Sequence, residues 1–305
     1  MKTEKSGLLF VLACYVMWGM LSIFWSLLSE VNSLYILAQR IVWSMLFMGA
    51  FILVTGKSEE VKAVLRDKEK FKLCFISGVL VTINWGVYIV AVSNGHVLDA
   101  SMGYFIEPIV VALIGVLIFK EKLSKFEIMT FVLATVGVLY LIVASGTVPV
   151  MALLIAVSFA AYGAVKKNLT LTAHTSLFME TLCMSPIAFV FILYSELNGN
   201  GCLGILSRSE FLLLPICGIV TSVPLLLFNI GVKKIPYYLS GILMYINPTI
   251  QFLVGLLYFH ETLDTNRLFA FLFIWAGVMF TVYEKVQIMK QSSTGGSNES
   301  ENSGR

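Results

Sequence analysis

Ala100-Ser101-Met102-Gly103-Tyr104-Phe105-Ile106-Glu107-Pro108 sets a carboxyl and a proline in the middle of an apolar run. The same pattern returns further along the chain. Placing Glu107-Pro108 on Asn247-Pro248 gives an offset of 140 positions, and the alignment then runs on without gaps. Leu113 meets Leu253, Gly115 meets Gly255, Leu117 meets Leu257 and Phe119 meets Phe259. Further on, Glu121 meets Glu261, Leu123 meets Leu263, and Gly137-Val138 meets Gly277-Val278. Near the start of each half, Trp18-Gly19 resembles Tyr162-Gly163. Apolar helices resemble one another by composition alone, but composition does not order Pro, Gly and Glu at matched positions.

The runs that carry this repeat are long enough to cross a bilayer. A helix spanning about 30 Å of hydrocarbon needs about 20 mostly apolar residues. Ten such segments lie near 7–28, 33–55, 73–93, 98–119, 124–145, 147–165, 174–195, 210–231, 237–259 and 265–283. The chain is 58% hydrophobic and 13% charged, with mean hydropathy +0.88. A soluble domain is roughly half apolar and about a quarter charged, so a soluble fold is disfavoured. Lipid offers no partner for backbone amides, and the runs lack the alternation of barrel strands, so the spans are helices.

The basic residues carry topology. Lys2, Lys5, the cluster from Lys57 to Lys72, and the lysines at 120–125, 166–167, 233–234 and 285–290, with Arg305, all fall on one side. Only Arg208 and Arg267 fall on the other, and Arg40 lies inside a span. Cationic loops stay in the cytoplasm, so both termini are expected there. A net charge of +3 dispersed between apolar segments gives no nucleic-acid patch. The first span, Gly7 to Leu28, has no good small-x-small cleavage site and reads as an uncleaved span.

With five spans per half, the second copy enters the membrane from the opposite side. The expected fold is therefore all-α and integral to the membrane, ten helices as two inverted five-helix repeats. The first repeat covers 1–145, the second 146–285, and 286–305 is a disordered cytoplasmic tail rich in Gly, Ser and Asn. The 56–72 loop is expected to hold a short amphipathic stretch on the cytoplasmic surface, the alternative being a solvated connector. Inverted repeats suit alternating access to a midplane site.

Three blocks carry a family resemblance. They are Ala13-Cys14-Tyr15-Val16-Met17-Trp18-Gly19, Ile36-Leu37-Ala38-Gln39-Arg40-Ile41-Val42-Trp43-Ser44 and the opening stretch through Pro108. Glu180-Thr181-Leu182 with Pro186, and Tyr245-Ile246-Asn247-Pro248-Thr249 with Phe252-Leu253, follow in order and spacing. Across 7–283 the sequence resembles the RarD (chloramphenicol-sensitive protein) group of the EamA family, in the drug/metabolite transporter superfamily. The resemblance implies a bacterial inner-membrane permease whose cargo the group's name does not settle. Three positions depart from the group's pattern: Tyr35 where a Glu is common, Gln39 where a His is common, and Glu107 where an Asn is common.

Polar residues inside spans are costly and mark function. Arg40 lies about seven residues into its span, roughly 10 Å deep at about 1.5 Å per residue, beyond easy snorkelling. It is read as binding an anionic substrate group or an acidic side chain, the competing reading being a structural ion pair. Ser44 shares its face, with Gln39 and Trp43 on a neighbouring stripe. Glu107, beside Pro108, is the leading proton carrier; packing against a freed carbonyl is its bland alternative. Glu180 is read as a gate residue or an interfacial carboxylate.

Asn247, Gln251 and Tyr258 form one polar helical face, either cavity wall or hydrogen-bonded seam. Asn84, Trp85 and Tyr88, with Tyr15, Trp18 and Tyr104, offer aromatic and amide surface for an amphiphilic or cationic solute. His96 and Asp99 are assigned no chemistry.

No enzyme is indicated. Gly56-Lys57-Ser58 suggests a phosphate loop, but Phe51 stands where its first glycine is required. His260-Glu261 opens like a zinc-protease motif, but position 264 is Asp264 rather than histidine. The five cysteines show no metal-ligand spacing and read as unpaired thiols. No cofactor and no metal are expected. The expected function is a secondary active transporter for a small organic metabolite or drug-like solute, with proton coupling. A receptor or scaffold is the alternative. Expected partners are the solute, the lipid bilayer, protons and a second copy of the chain as a homodimer.

Overall fold

The computed structural model describes the backbone of residues 2–93, 97–146, 150–203, 206–260 and 265–302. Within it, the side chains of 2, 92–101, 145, 208–209, 285–286 and 288–302 are not described. His96, Glu261 and Leu263 thus lie outside the described residues, as do the side chains of Asp99 and of most of the polar tail.

The described chain is helical throughout: α1 Lys2–Ser26, α2 Ser33–Val54, α3 Ser58–Arg66, α4 Lys68–Ser93, α5 Val97–Leu117, α6 Lys125–Ser145 and α7 Val150–Asn168. It continues with α8 Ala173–Leu197, α9 Arg208–Phe211, α10 Leu213–Gly231, α11 Tyr237–Met244, α12 Ile246–Leu257 and α13 Thr265–Asn302. Among the described residues, 9 spans are long and apolar enough to cross a membrane, and α5 adds a shorter apolar segment, Met102–Leu117. The sequence spans therefore match these helices within a few residues. The 56–72 stretch holds the short helix α3, whose Val64 is buried against Cys74, Leu169 and Met179.

Local chemistry sets several ends. Asn32 Oδ1 caps α2 by accepting from the amides of Leu34 and Tyr35 at 3.0 and 3.2 Å. Ser124 and Glu127 form a reciprocal capping box on α6. The ninth span is two helices, broken at Tyr245. Pro248 lacks the amide that would bond the carbonyl four residues back, at Met244, and its ring crowds that carbonyl. Pro108, at the matched place, is carried inside an unbroken α5. Tyr245 Oη donates to the carbonyl of Phe105 at 3.4 Å, and these two residues are themselves matched by the repeat, 140 positions apart.

Contacts divide the chain into two units. One is Met1–Phe119 with Pro149–Thr262; the other is Lys120–Val148 with Leu263–Arg305. The second unit is the pair α6 and α13, the last spans of the two halves. There a Cβ on Gly137 would lie 3.0 Å from the carbonyl of Ala270, and one on Gly277 2.9 Å from that of Thr130. Both contacts obey the 140-residue offset, so the two small residues let matched helices approach closely in exchanged roles.

Packing in the first unit follows the same exchange. α5 packs on α7 as α12 packs on α1, α4 on α7 as α10 on α1, and α2 on α10 as α8 on α4. The remaining major pairs, α2 with α8 and α5 with α11, join a span to its own counterpart. The halves are therefore interleaved rather than packed as separate bundles.

A candidate solute cavity and its sealed end

Within the first unit, residues of α1, α2, α4, α5, α7, α11 and α12 enclose a cavity of about 370 Å³. Leu28, Ser29, Val31 and Ser33, at the connection between α1 and α2, also line it, and Ser29 and Ser33 are exposed. Trp18, Arg40, Asn84, Trp85, Tyr88, Tyr104, Glu107, Asn247 and Gln251 line its walls. Mid-span polar and aromatic residues marked in the sequence thus share one chamber. Aromatic rings and convergent polar side chains share its wall, a combination that suits a small-molecule site.

Each polar group is held in a defined way. Asn84 Nδ2 donates to the carbonyl of Ile155 at 2.8 Å, tying α4 to α7. Gln251 Nε2 donates to Asn247 Oδ1 at 2.9 Å, one turn apart on α12. Tyr258 caps the end of that helix, exposed and outside the cavity, so the polar face stops at Gln251. Glu107 is 4% exposed, and among the described residues no hydrogen bond or ion pair engages its carboxyl. Tyr88 and Tyr104 pack with ring centroids 5.5 Å apart. Tyr15 is buried behind the wall instead, its Oη 2.9 Å from Ser240 Oγ.

Arg40 lies over two indoles, its Cζ 4.6 Å from the centroid of the Trp25 ring and 4.3 Å from that of Trp85. Its Nε donates to Thr221 Oγ1 at 3.0 Å. Trp25 is absent from the sequence-derived candidates because it stands at the end of its span, where an aromatic side chain ordinarily anchors in the membrane interface.

Tyr35 and Gln39 share the helix with Arg40 but turn elsewhere. Gln39 Nε2 donates to Tyr35 Oη at 2.8 Å, and its Oε1 accepts from Trp43 Nε1 at 3.0 Å. Tyr35 in turn donates to Glu196. Two of the three departures from the RarD pattern are therefore bonded to each other, and the third, Glu107, is in the cavity wall.

Beyond Trp18 and Phe159 the chain is packed with buried rings. These two residues form the floor of the cavity with ring centroids 5.4 Å apart. Phe228 packs under both, at 5.9 and 5.3 Å, and stacks on Tyr162 at 6.2 Å. Tyr162 Oη lies 3.2 Å from Asn229 Oδ1 and 3.4 Å from Glu180 Oε2. Glu180 forms an ion pair with Lys166 and accepts from Ser77 at 2.8 Å and Ser176 at 3.1 Å. Phe159, Tyr162 and Lys166 stand at helical spacing on one face of α7, which runs from the cavity floor to the ion pair.

Glu180 thus lies outside the cavity, beneath its floor. It is the counterpart of Arg40 under the repeat, and the neighbourhoods correspond: α2 reaches α10 through Arg40 and Thr221, while α8 reaches α4 through Glu180 and Ser77. Lys166 escapes a sequence reading because the span around it ends at 165 there, leaving Lys166 among the loop lysines. In the structure α7 continues to Asn168 and Lys166 is 0% exposed.

Among the described residues no cluster of His, Cys, Asp and Glu has the makings of a metal site. The EamA-like transporter family model matches twice, over residues 5–143 and 147–283. An uncharacterized transporter, YojE, from Bacillus subtilis is 37% identical over 95% of this chain and 98% of its own length. Protein RarD from Streptomyces exfoliatus is 34% identical, covering 95% of this chain and 92% of that protein. Protein RarD from Escherichia coli is 31% identical over 96% and 99% respectively. A solved protein crystal structure shares the fold with a TM-score of 0.71 at 16% identity, covering 91% of this chain and 97% of that one. With two matched copies in tandem and full-length relatives of this kind, the chain belongs to the EamA-like transporter family and is a multi-pass bacterial membrane transporter of the drug/metabolite superfamily.

Proposed function

We propose that this protein is a secondary active transporter that moves a small organic solute across the bacterial inner membrane by alternating access. Protons are the coupling ion, carried by Glu107. The observation that carries this reading is a cavity lined by mid-span polar residues, reaching the exposed α1–α2 connection at one end and bounded by packed aromatic rings at the other, in a core whose helix contacts exchange between the two halves. Because the halves make equivalent contacts, a second arrangement with the seal and the opening exchanged has comparable packing. The distribution of lysines supports an α1–α2 connection outside and both termini in the cytoplasm, which makes this arrangement an outward-open one. A scaffold or receptor has no use for such mirrored packing, and no catalytic set accompanies the cavity among the described residues.

The test is flux. Solutes whose cellular pools change on deletion of the gene are offered to proteoliposomes containing the purified protein. Saturable uptake above that of empty liposomes, enhanced by an imposed pH gradient, is expected. Uptake of every such solute at the rate of empty liposomes would refute a carrier.

A further inference from the structure

The guanidinium of Arg40 has more hydrogen-bonding capacity than the protein uses. It carries five N–H groups in one plane. Its Nε is satisfied by Thr221 Oγ1 at 3.0 Å, and among the described residues no other acceptor engages it. No carboxylate lies within ion-pair distance of it among the described residues, so Glu107, although it lines the same cavity, is not its counter-ion. The four N–H groups on the terminal nitrogens have no protein partner there.

The N–H bonds lie in the guanidinium plane, so an acceptor meets the group in that plane, while Arg40 Cζ lies over the Trp25 and Trp85 rings at 4.6 and 4.3 Å. The two rings and the Thr221 bond hold the group in place before anything binds. The acceptor that fits an in-plane fork of N–H donors is a group with two coplanar oxygens, which is a carboxylate. The same stacking argues against a cationic solute, because the indoles that would cage an ammonium already hold the protein's own cation. Trp18, Tyr88 and Tyr104 on the same wall suit a flat apolar body.

We infer that the cavity takes a small organic carboxylate with a flat apolar body, its carboxylate held in the plane of Arg40 and its body against the aromatic wall. Arg40 supplies the counter-charge that such an anion needs inside a low-dielectric membrane. This inference rests on the carrier reading and names the substrate class for the same cavity.

The test uses the purified full chain in lipid nanodiscs and its tryptophan fluorescence, since two indoles touch the guanidinium. Benzoate, 3-phenylpropionate and indole-3-acetate are each titrated beside the corresponding uncharged amide. At least one acid is expected to saturate with an affinity tenfold or more above that of its amide, and Arg40→Gln is expected to bring acid and amide within twofold. Arg40→Lys keeps the charge but loses the fork, so it weakens acid binding more than amide binding. It carries the test if Arg40→Gln does not fold. Equal binding of acids and amides, an intact acid preference in Arg40→Gln, or equal acid affinity in Arg40→Lys and the parent would overturn the inference. None of these results touches the carrier reading, which fails instead on the absence of flux.

Discussion

Lys166 on α7 and Glu180 on α8 form an ion pair in which the side chains are 0% and 1% exposed. A buried pair of this kind owes little net stability to its charges, but losing one partner strands the other. Glu180→Gln is therefore expected to lower the stability of the protein by about 3–5 kcal/mol. Replacing both, as Lys166→Met with Glu180→Leu, is expected to recover most of that loss. Thermal unfolding in detergent measures both, and a double variant no more stable than Glu180→Gln would contradict the argument.

Glu107 lines the cavity with no engaged partner among the described residues, the arrangement expected of a group that must take up and release a proton. In proteoliposomes, Glu107→Gln is expected to abolish accumulation driven by a pH gradient while solute exchange across the membrane persists. Undiminished pH-driven accumulation in that variant would remove Glu107 from the coupling.

Gly163 is held against Tyr237. A Cβ there would lie 2.3 Å from Tyr237 Oη, which itself donates to the carbonyl of Ala160 at 2.6 Å. Gly163→Ala is expected to cost about 1–3 kcal/mol from overpacking. Adding Tyr237→Phe removes the nearest atom and is expected to return part of that cost, although the hydrogen bond is lost. Unfolding temperatures of the single and double variants decide the matter; a Gly163→Ala variant as stable as the parent would refute the close contact.

Lys233, in the connection between α10 and α11, donates to the carbonyls of Leu169 and Leu171 at 2.7 and 2.6 Å. Burial, aided by the nearby Lys166 charge, pushes its ammonium down to about 8. Lowering favours the neutral amine, so the fraction able to react with an acylating reagent rises through about pH 8 rather than through about 10.4, the value of a free lysine. Mass spectrometry of pulse-labelled protein at a series of pH values is expected to show Lys233 reacting with the lower midpoint. A midpoint as high as the free-lysine value would contradict it.

The helices were legible in the sequence because lipid leaves the backbone no alternative, and the repeat because Pro, Gly and Glu recur at one fixed offset. Arg40, Glu107 and Asn247 were legible for a related reason, since a polar group in the middle of an apolar run must have a use. Trp25 and Lys166 were not. Each stands near a span end, where an aromatic ring or an ammonium ordinarily meets the membrane interface, and only the path of the neighbouring helix turns it inward. The break at Tyr245 was likewise hidden, because Pro108 and Pro248 present the same local sequence signal and only one of them breaks its helix. Tertiary context decides between them: Tyr245 at the break bonds the carbonyl of Phe105 on the unbroken α5.

The most direct test of alternating access follows the cavity from both faces. Gln251 lines the cavity and is partly exposed, and Gln251→Cys, with the five native cysteines replaced, gives it a single reporter. A membrane-impermeant maleimide is applied to right-side-out and to inside-out vesicles, for this variant alone and with Glu180→Gln added. Fast labelling from outside and slower labelling from inside are expected, with the inside rate rising at least tenfold once Lys166 loses its partner. Labelling from one face alone, unchanged by Glu180→Gln, would contradict alternating access.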